Sequence, residues 1–515
     1  MSLKNKVIKN LFSNWAGLIV TIVISFFMAP YIVHKLGNTF YGIWSIINQF
    51  TAYLYIFDFG IRESVIRYTA KYLANKKIRK LEDVLQASFY IYLGVSLISI
   101  LFTLILALVF EDVFDVDKEY ATEASVAILL IGGTITQLFV FNMFNGFLMG
   151  VQRYDIFNIV QICGTLVKTA LFVLVLEADY GIVALAAVQF TVFLFTGLIM
   201  TKVCLNIASS NEVKINLKPP AWDHIKATYH KVFNYSLYVF INNIGQKIIF
   251  MTDAIIIGIF MPVASVTFYA IAGMLVEYLR KLVTTSTSIL NPLVSHYSAS
   301  NENDKIQYAL VSGTKLTLFI ALPVVTVLVL LGEIFIDLWM GEEFAAISGE
   351  ILVILAVAQA FSAPHFSIVN VLYGMNKHKT LAHFRIVEAI CNLVLSIVLI
   401  NYYGLVGVAL GTAIPHIILT SMILPWYATK QINMSLSNYM ISGYLRPMIA
   451  ILPFIFSVFY LKNAFPPESL LEFFVSVFIV CLLYLFVSYL VVFTSKERSS
   501  INTSILSFYN KRVSR

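Results

Sequence analysis

The chain has 515 residues, of which 59% are hydrophobic and 12% charged, with a mean hydropathy of +0.84 and a formal net charge of +7. Soluble domains carry charge on about a quarter of their residues, so this balance excludes a soluble globular protein and indicates a polytopic membrane protein. The apolar residues come in blocks of about 20, the length a helix needs to cross a hydrocarbon core about 30 Å thick, and not in the alternating short strands of a barrel.

In chain order, spanning helices are expected near 11–33, 41–60, 84–110, 124–148, 155–177, 181–204, 232–259, 264–290, 308–332, 348–372, 380–401, 404–427, 446–462 and 470–493. The segments 34–40, 178–180 and 402–403 read as tight turns between neighbouring spans. Charge supports the count, because cytoplasmic loops accumulate Lys and Arg. With the N terminus inside, all of the 35 Lys and Arg fall on alternate, inner loops or inner helix ends except Lys35, Lys118 and Lys462 outside and Lys168, Lys247 and Lys315 within spans. Outer loops are acidic, with Glu111, Asp112, Asp115 and Asp117 in one and Glu342 and Glu343 in another. Both termini are therefore expected in the cytoplasm. The basic run from Arg62 to Lys80 is explained by topology and contact with anionic lipid, so no nucleic-acid partner is implied.

Other chemistries leave no mark. There is no GxxxxGK[ST] phosphate loop. Cys163, Cys204, Cys391 and Cys481 lie within or at the ends of spans without CxxC spacing, so neither a disulfide framework nor a metal site is indicated. No catalytic residue and no cofactor is expected. The N terminus reads as a retained first span.

An internal repeat organises the chain. The stretch from Gly150 resembles that from Gly374: Gly150 matches Gly374, Arg153 matches Lys377, and Tyr180-Gly181 matches Tyr403-Gly404, at a nearly constant offset. A similar offset carries Lys9 onto Lys231. Six spans have thus been duplicated, and because six is even the halves are parallel repeats about an axis along the membrane normal. The expected fold is an all-α polytopic membrane protein of about 14 transmembrane helices. Its parts are an N-terminal lobe at 1–210, a cytoplasmic linker at 211–230, a C-terminal lobe at 231–430, and two extra helices with a basic tail at 431–515.

Polar residues inside spans are the functional candidates, because a charge at the bilayer centre costs about 2.5 to 3.5 kcal/mol on insertion scales. In the seventh span Asn242, Gln246 and Asp253 share one helical stripe, with Asn243 and Lys247 beside it. In the second span Trp44, Asn48, Thr51, Tyr55, Asp58 and Arg62 recur every three or four positions, and Asp58 can pair with Arg62. Lys168 and Glu388 lie mid-span, and the repeat maps Glu388 onto Gly164, one turn from Lys168. Arg280, Lys315 and Arg385 sit toward inner helix ends, where with other cations they could line a basic vestibule. For each, structural pairing or core packing is the competing role; for Trp44 and Tyr55 packing competes with stacking on sugar rings.

The order LGNTFYGIWS at 36–45, FDFGIRESVIRYTAKYLA at 57–74, LGEIFIDLWMGEEF at 331–344 and LYGMNKHKT at 372–380 resembles the polysaccharide flippases of the multidrug/oligosaccharidyl-lipid/polysaccharide exporter superfamily over nearly the whole chain. The resemblance implies two six-helix lobes across a cleft and alternating access for an undecaprenyl-diphosphate-linked oligosaccharide in the bacterial inner membrane. It also implies membrane lipids, polysaccharide polymerase and chain-length machinery as partners, and a monomeric transport unit. On that reading Lys247, with Arg62, Arg280 or Lys315, holds the diphosphate, with Asn243, Trp44 and Tyr55 beside the sugars. Asp253 or Glu388 senses a coupling H+ or Na+. A lipid II flippase would carry an arginine-rich SRxxGxxRD-like motif in its first span, which is absent; a drug antiporter would have twelve spans. A glycosyltransferase or polymerase would need a catalytic cluster in a large outer loop, and the outer loops are short.

Overall fold

The computed structural model describes residues 3–216, 252–287, 290–375 and 377–492, with isolated positions at 218, 226, 229 and 498. Among the described residues helices are joined only by turns and short loops, with no strand, as an apolar solvent requires of a chain that must satisfy its backbone N–H and C=O groups internally. Ten helices among them are long and apolar enough to cross a membrane. Two of these hold two expected spans each, because the helical path runs almost unbroken through the tight turns. Leu3–Leu54 (α1) breaks at Gly37 (φ 77, ψ 167), and His378–Ile418 breaks at Gly404 (φ 55, ψ −132). Glycine is suited to both breaks because a β-carbon is disfavoured at positive φ. Of the remaining expected spans, 232–259 lies mostly outside the described residues, and 264–290 forms the helix Ser265–Thr287, which carries more polar residues than the others.

The chain divides into two compact units, Met1–Thr267 and Phe268–Arg515. In the first, α1 is followed by a 3₁₀ turn at Tyr55–Asp58 and then by α2 (Ile61–Ala74), α3 (Ile78–Phe114), α4 (Lys118–Gly150), α5 (Tyr154–Glu177), α6 (Ile182–Ser210) and the short α7 (Asp253–Phe260). In the second come α8 (Ser265–Thr287, which begins at the boundary), α9 (Leu290–Ala299), α10 (Asn303–Met340), α11 (Glu342–Ser362), α12 (His365–Gly374) and α13 (His378–Ile418). A π-helical turn at Leu419–Ile423 leads to α14 (Leu424–Gln431), α15 (Leu436–Met440), α16 (Arg446–Ala464) and α17 (Leu470–Val491). Side chains such as Leu97, Leu101 and Leu108 on α3, and Leu471, Phe478 and Phe486 on α17, are at least 60% exposed, as expected of faces solvated by lipid tails.

Each unit has an apolar core built at the corresponding place in the repeat. In the first it gathers Ile61, Val65, Tyr68, Phe144 and Phe147; in the second, Val294, Leu310, Ile368, Val371 and Leu372. The repeat is also visible in the way two helices end. Val151 N–H donates to the Phe147 carbonyl (3.0 Å) and Arg153 N–H to that of Leu148 (3.0 Å). At the matching positions of the second half, Met375 donates to Val371 (3.0 Å) and Lys377 to Leu372 (2.8 Å). The glycines before these turns have one job in both halves. A β-carbon at Gly150 would lie 2.5 Å from Thr69 Cβ and 3.0 Å from the Ile66 carbonyl oxygen, and one at Gly374 would lie 2.8 Å from Val294 Cβ and 3.0 Å from the Asn291 carbonyl oxygen. Only a bare backbone lets α4 press on α2, and α12 on α9.

These contacts predict that Gly374→Ala lowers the stability of the purified protein by about 1–3 kcal/mol through overpacking. Gly94→Ala, where nothing lies within 4 Å of the new carbon, should instead gain about 0.5 kcal/mol from helix propensity. Unfolding of the two variants in one detergent, followed by circular dichroism, checks both signs.

Candidate functional site

The second unit holds a charge cluster inside its helices. The break at Gly404 folds α13 back so tightly that a β-carbon on Gly407 would lie 2.1 Å from the Leu399 carbonyl oxygen. That hairpin brings Glu388 against His416. Glu388 is buried, and its Oε1 lies 2.5 Å from His416 Nδ1 while its Oε2 accepts from Arg385 Nη1 at 3.1 Å. The other Arg385 amine touches His365 Nε2 at the start of α12. Arg280, on α8 and bonded to Glu277, is near enough to Arg385 for their charges to interact. Farther along the hairpin Asn392 Nδ2 donates to Thr412 Oγ1 at 2.8 Å. One carboxylate is therefore shared between a guanidinium and an imidazole, with a second imidazole adjoining. A buried pair of this kind leaves several kcal/mol of uncompensated charge when one partner is removed. The Pro415–Thr420 stretch beside it, with His416 O accepting from Thr420 Oγ1 at 2.6 Å, passes into the π turn, an irregularity that recurs at functional positions of helices.

The first unit holds two polar places. Asp58 is buried at the end of the 3₁₀ turn, where its Oδ1 accepts from Tyr92 Oη (2.7 Å) and Asn142 Nδ2 (3.0 Å). Phe59 (φ 49) and Gly60 (φ 70) interrupt the helix after it, so the single polar face expected from Trp44 to Arg62 is broken there. Asp58 is satisfied by α3 and α4, while Arg62 Nη2 bonds Glu63 (3.2 Å) and the guanidinium stands 5.9 Å from the centre of the Tyr55 ring. Trp44 is buried edge-on to Phe172. Asn48 and Thr51 instead line a half-open cavity of about 320 Å³ whose other polar walls include Gln161, Lys168, Gln189 and Thr196.

Of the remaining sequence candidates, Asp253 is buried at the first turn of α7, beside Thr252, whose Oγ1 lies 2.5 Å from Tyr53 Oη. There a carboxylate favours the N-terminal end of the helix dipole. Lys315 is half-buried in the first third of α10. Lys247 and Asn243 lie outside the described residues. The structure thus brings together Glu388 and Arg385, ties Arg280 to Glu277, and sets Arg62 and Tyr55 side by side. His365 and His416 carry no periodic pattern, and reasoning from sequence passed over them; the available signal was that a mid-span Glu requires a buried partner.

A family model described as "Polysaccharide biosynthesis protein" matches residues 7–298 of the chain, and the MatE model matches residues 239–398. A putative O-antigen transporter of Shigella flexneri is 23% identical over 431 residues, 82% of this chain and 98% of that protein. The probable low-salt glycan biosynthesis flippase Agl15 of Haloferax volcanii is 26% identical over 204 residues, 40% of this chain and 42% of that protein. Among solved structures, an inward closed conformation of the lipid II flippase MurJ superposes with a TM-score of 0.71 at 17% identity, covering 94% of this chain and 98% of that one. An inward-facing multidrug resistance MATE transporter of the MOP superfamily gives a TM-score of 0.66 at 14% identity, over 81% and 94%. At these identities the superpositions speak for the fold.

The cluster geometry predicts that Arg385→Met, which leaves Glu388 with the His416 imidazole alone, destabilises the protein by about 3–5 kcal/mol. Tyr92→Phe, which costs Asp58 one donor, should lose about 1–3 kcal/mol. Denaturant unfolding in detergent measures both.

Proposed function

Since the chain belongs to the polysaccharide biosynthesis protein family, we propose that it is a flippase moving undecaprenyl-diphosphate-linked oligosaccharide repeat units from the cytoplasmic to the outer leaflet of a bacterial inner membrane by alternating access. The observation that carries this reading is the family match over residues 7–298. The near full-length similarity to a protein named as an O-antigen transporter supports it. The physical task fits the composition. A polyprenyl tail is at home in hydrocarbon, whereas a diphosphate and its sugars need a polar, cationic path between helices. In this proposal the two lobes, with boundaries near 210, 230 and 430 and both termini in the cytoplasm, rock about that path. Arg62, Arg280, Lys247 and Lys315 supply its positive charge, guanidinium groups being suited to phosphate oxygens. The protein acts as a transporter and not as an enzyme.

Coupling to an ion is assigned to Glu388. Its neighbours speak against sodium, because guanidinium and imidazole donors surround the carboxylate where Na+ would need oxygen ligands; the same donors stabilise the carboxylate, so a proton binds only as they withdraw. Protonation of Glu388 would release His416 and Arg385 on the two arms of the α13 hairpin, which gives the proton a mechanical consequence. Asp253, at the start of α7, is the second candidate for this role.

Reconstituted liposomes carrying a fluorescent lipid-linked oligosaccharide test the proposal. The parent protein should speed its exposure on the far leaflet, and faster still under an imposed proton gradient, while a cationic dye used as a drug control is not moved. Glu388→Gln should retain gradient-independent movement and lose the acceleration. Arg280→Ala should slow movement about tenfold or more, the loss of a charge-assisted contact. Movement of the dye in place of the oligosaccharide would favour a drug antiporter.

A further inference from the structure

The two halves use one scaffold position in opposite ways. At the offset that pairs Gly150 with Gly374, the α5 residues Gln161, Gly164 and Lys168 correspond to Arg385, Glu388 and Asn392. At the offset that pairs Gly181 with Gly404, Gln189 and Phe193 on α6 correspond to Thr412 and His416. In the second unit these positions close on themselves, through Glu388 with Arg385 and His416 and through Asn392 with Thr412. In the first unit the carboxylate is missing, because Gly164 stands where Glu388 does. The space becomes the cavity of about 320 Å³, lined by Gly164, Lys168, Gln161 and Gln189.

The lining specifies a ligand. Lys168 has no ion pair among the described residues, and its ammonium stands 5.6 Å from the centre of the Phe172 ring. The hydroxyl protons of Thr51, Thr165 and Thr196 are committed to the carbonyls of Ile47, Gln161 and Phe193, and the Asn48 amide to Trp44. Their oxygens are therefore left as acceptors. Lys168 and the amides of Gln161 and Gln189 supply donors. One positive charge balances one negative charge, where a diphosphate would call for two or more cations. Donors and acceptors on the same lining match a ring of hydroxyls, each of which can give and take a hydrogen bond. We infer that this cavity in the first unit binds a carboxylate-bearing sugar, whose anionic group takes the place that the Glu388 carboxylate fills in the second unit. The inference rests on the proposed function for the origin of the sugar, which is an acidic residue of the lipid-linked oligosaccharide.

Binding is tested without transport, by saturation-transfer NMR on the full chain in lipid nanodiscs with sodium glucuronate, methyl glucoside and sodium chloride as probes. Glucuronate should give a saturable signal in the parent protein, about tenfold weaker in Lys168→Met and retained in Lys168→Arg. A second variant, Gly164→Asp with Thr196→Ser, supplies an internal carboxylate one turn from Lys168. It also removes the Thr196 methyl that would lie 2.6 Å from the new β-carbon. It should lose the glucuronate signal while keeping Lys168. Circular-dichroism melting of each variant verifies that it is folded. No glucuronate signal in the parent, an equal signal in folded Lys168→Met, equal binding of the neutral glucoside, or displacement by an equal concentration of chloride would each overturn the assignment. If glucuronate binds as expected and liposomes show no oligosaccharide movement, the flippase reading fails and the sugar site stands.

Discussion

A charge surrounded by apolar helices has to find polar partners within the protein, and that requirement shapes this molecule more than any other. Glu388 meets it twice over, through Arg385 one turn away on its own helix and through His416 across the hairpin. The hairpin exists because Gly404 breaks the helix and because Gly407 and Gly411 let its arms approach closely. Backbone flexibility at one point and electrostatic necessity at another thus select the same arrangement. Asp58 meets the requirement differently, with a phenol and an amide from two other helices, which ties the 3₁₀ turn to α3 and α4.

Duplication gives the physical background to these contrasts. The close-packed glycines, the helix ends after Gly150 and Gly374, and the apolar core at one end of each unit are shared by the two halves. Such features concern backbone approach and volume, which tolerate little change. Polar residues within the spans have diverged instead. A mid-span side chain can change its chemistry provided the counter-charge changes with it, so the hairpin of the second unit is closed by an ion cluster while its counterpart in the first encloses a polar hollow. Exposed Leu and Phe on α3 and α17 face lipid, and their sequence is constrained only to stay apolar.

By itself, the sequence determined the class, the helical nature of the spans and the repeat, since each depends on quantities summed along the chain: apolar length, loop charge, and glycines at a fixed offset. It also marked Glu388 and Lys168 as costly where they stand, and offered Arg62 as a partner for Asp58. Tertiary structure decided their partners. His416 lies 28 residues from Glu388 and His365 lies 20 from Arg385, and no helical periodicity links positions separated by a turn of unknown angle. The polar stripe from Trp44 to Arg62 is regular in sequence, yet α1 ends at Leu54, a 3₁₀ turn carries Tyr55–Asp58, and Phe59 and Gly60 stand at positive φ, so Asp58 and Arg62 leave the face that holds Asn48 and Thr51. Periodicity predicts a face only while the helix continues, and the partners that Asp58 finds beyond its end, on α3 and α4, exist only once the chain has folded.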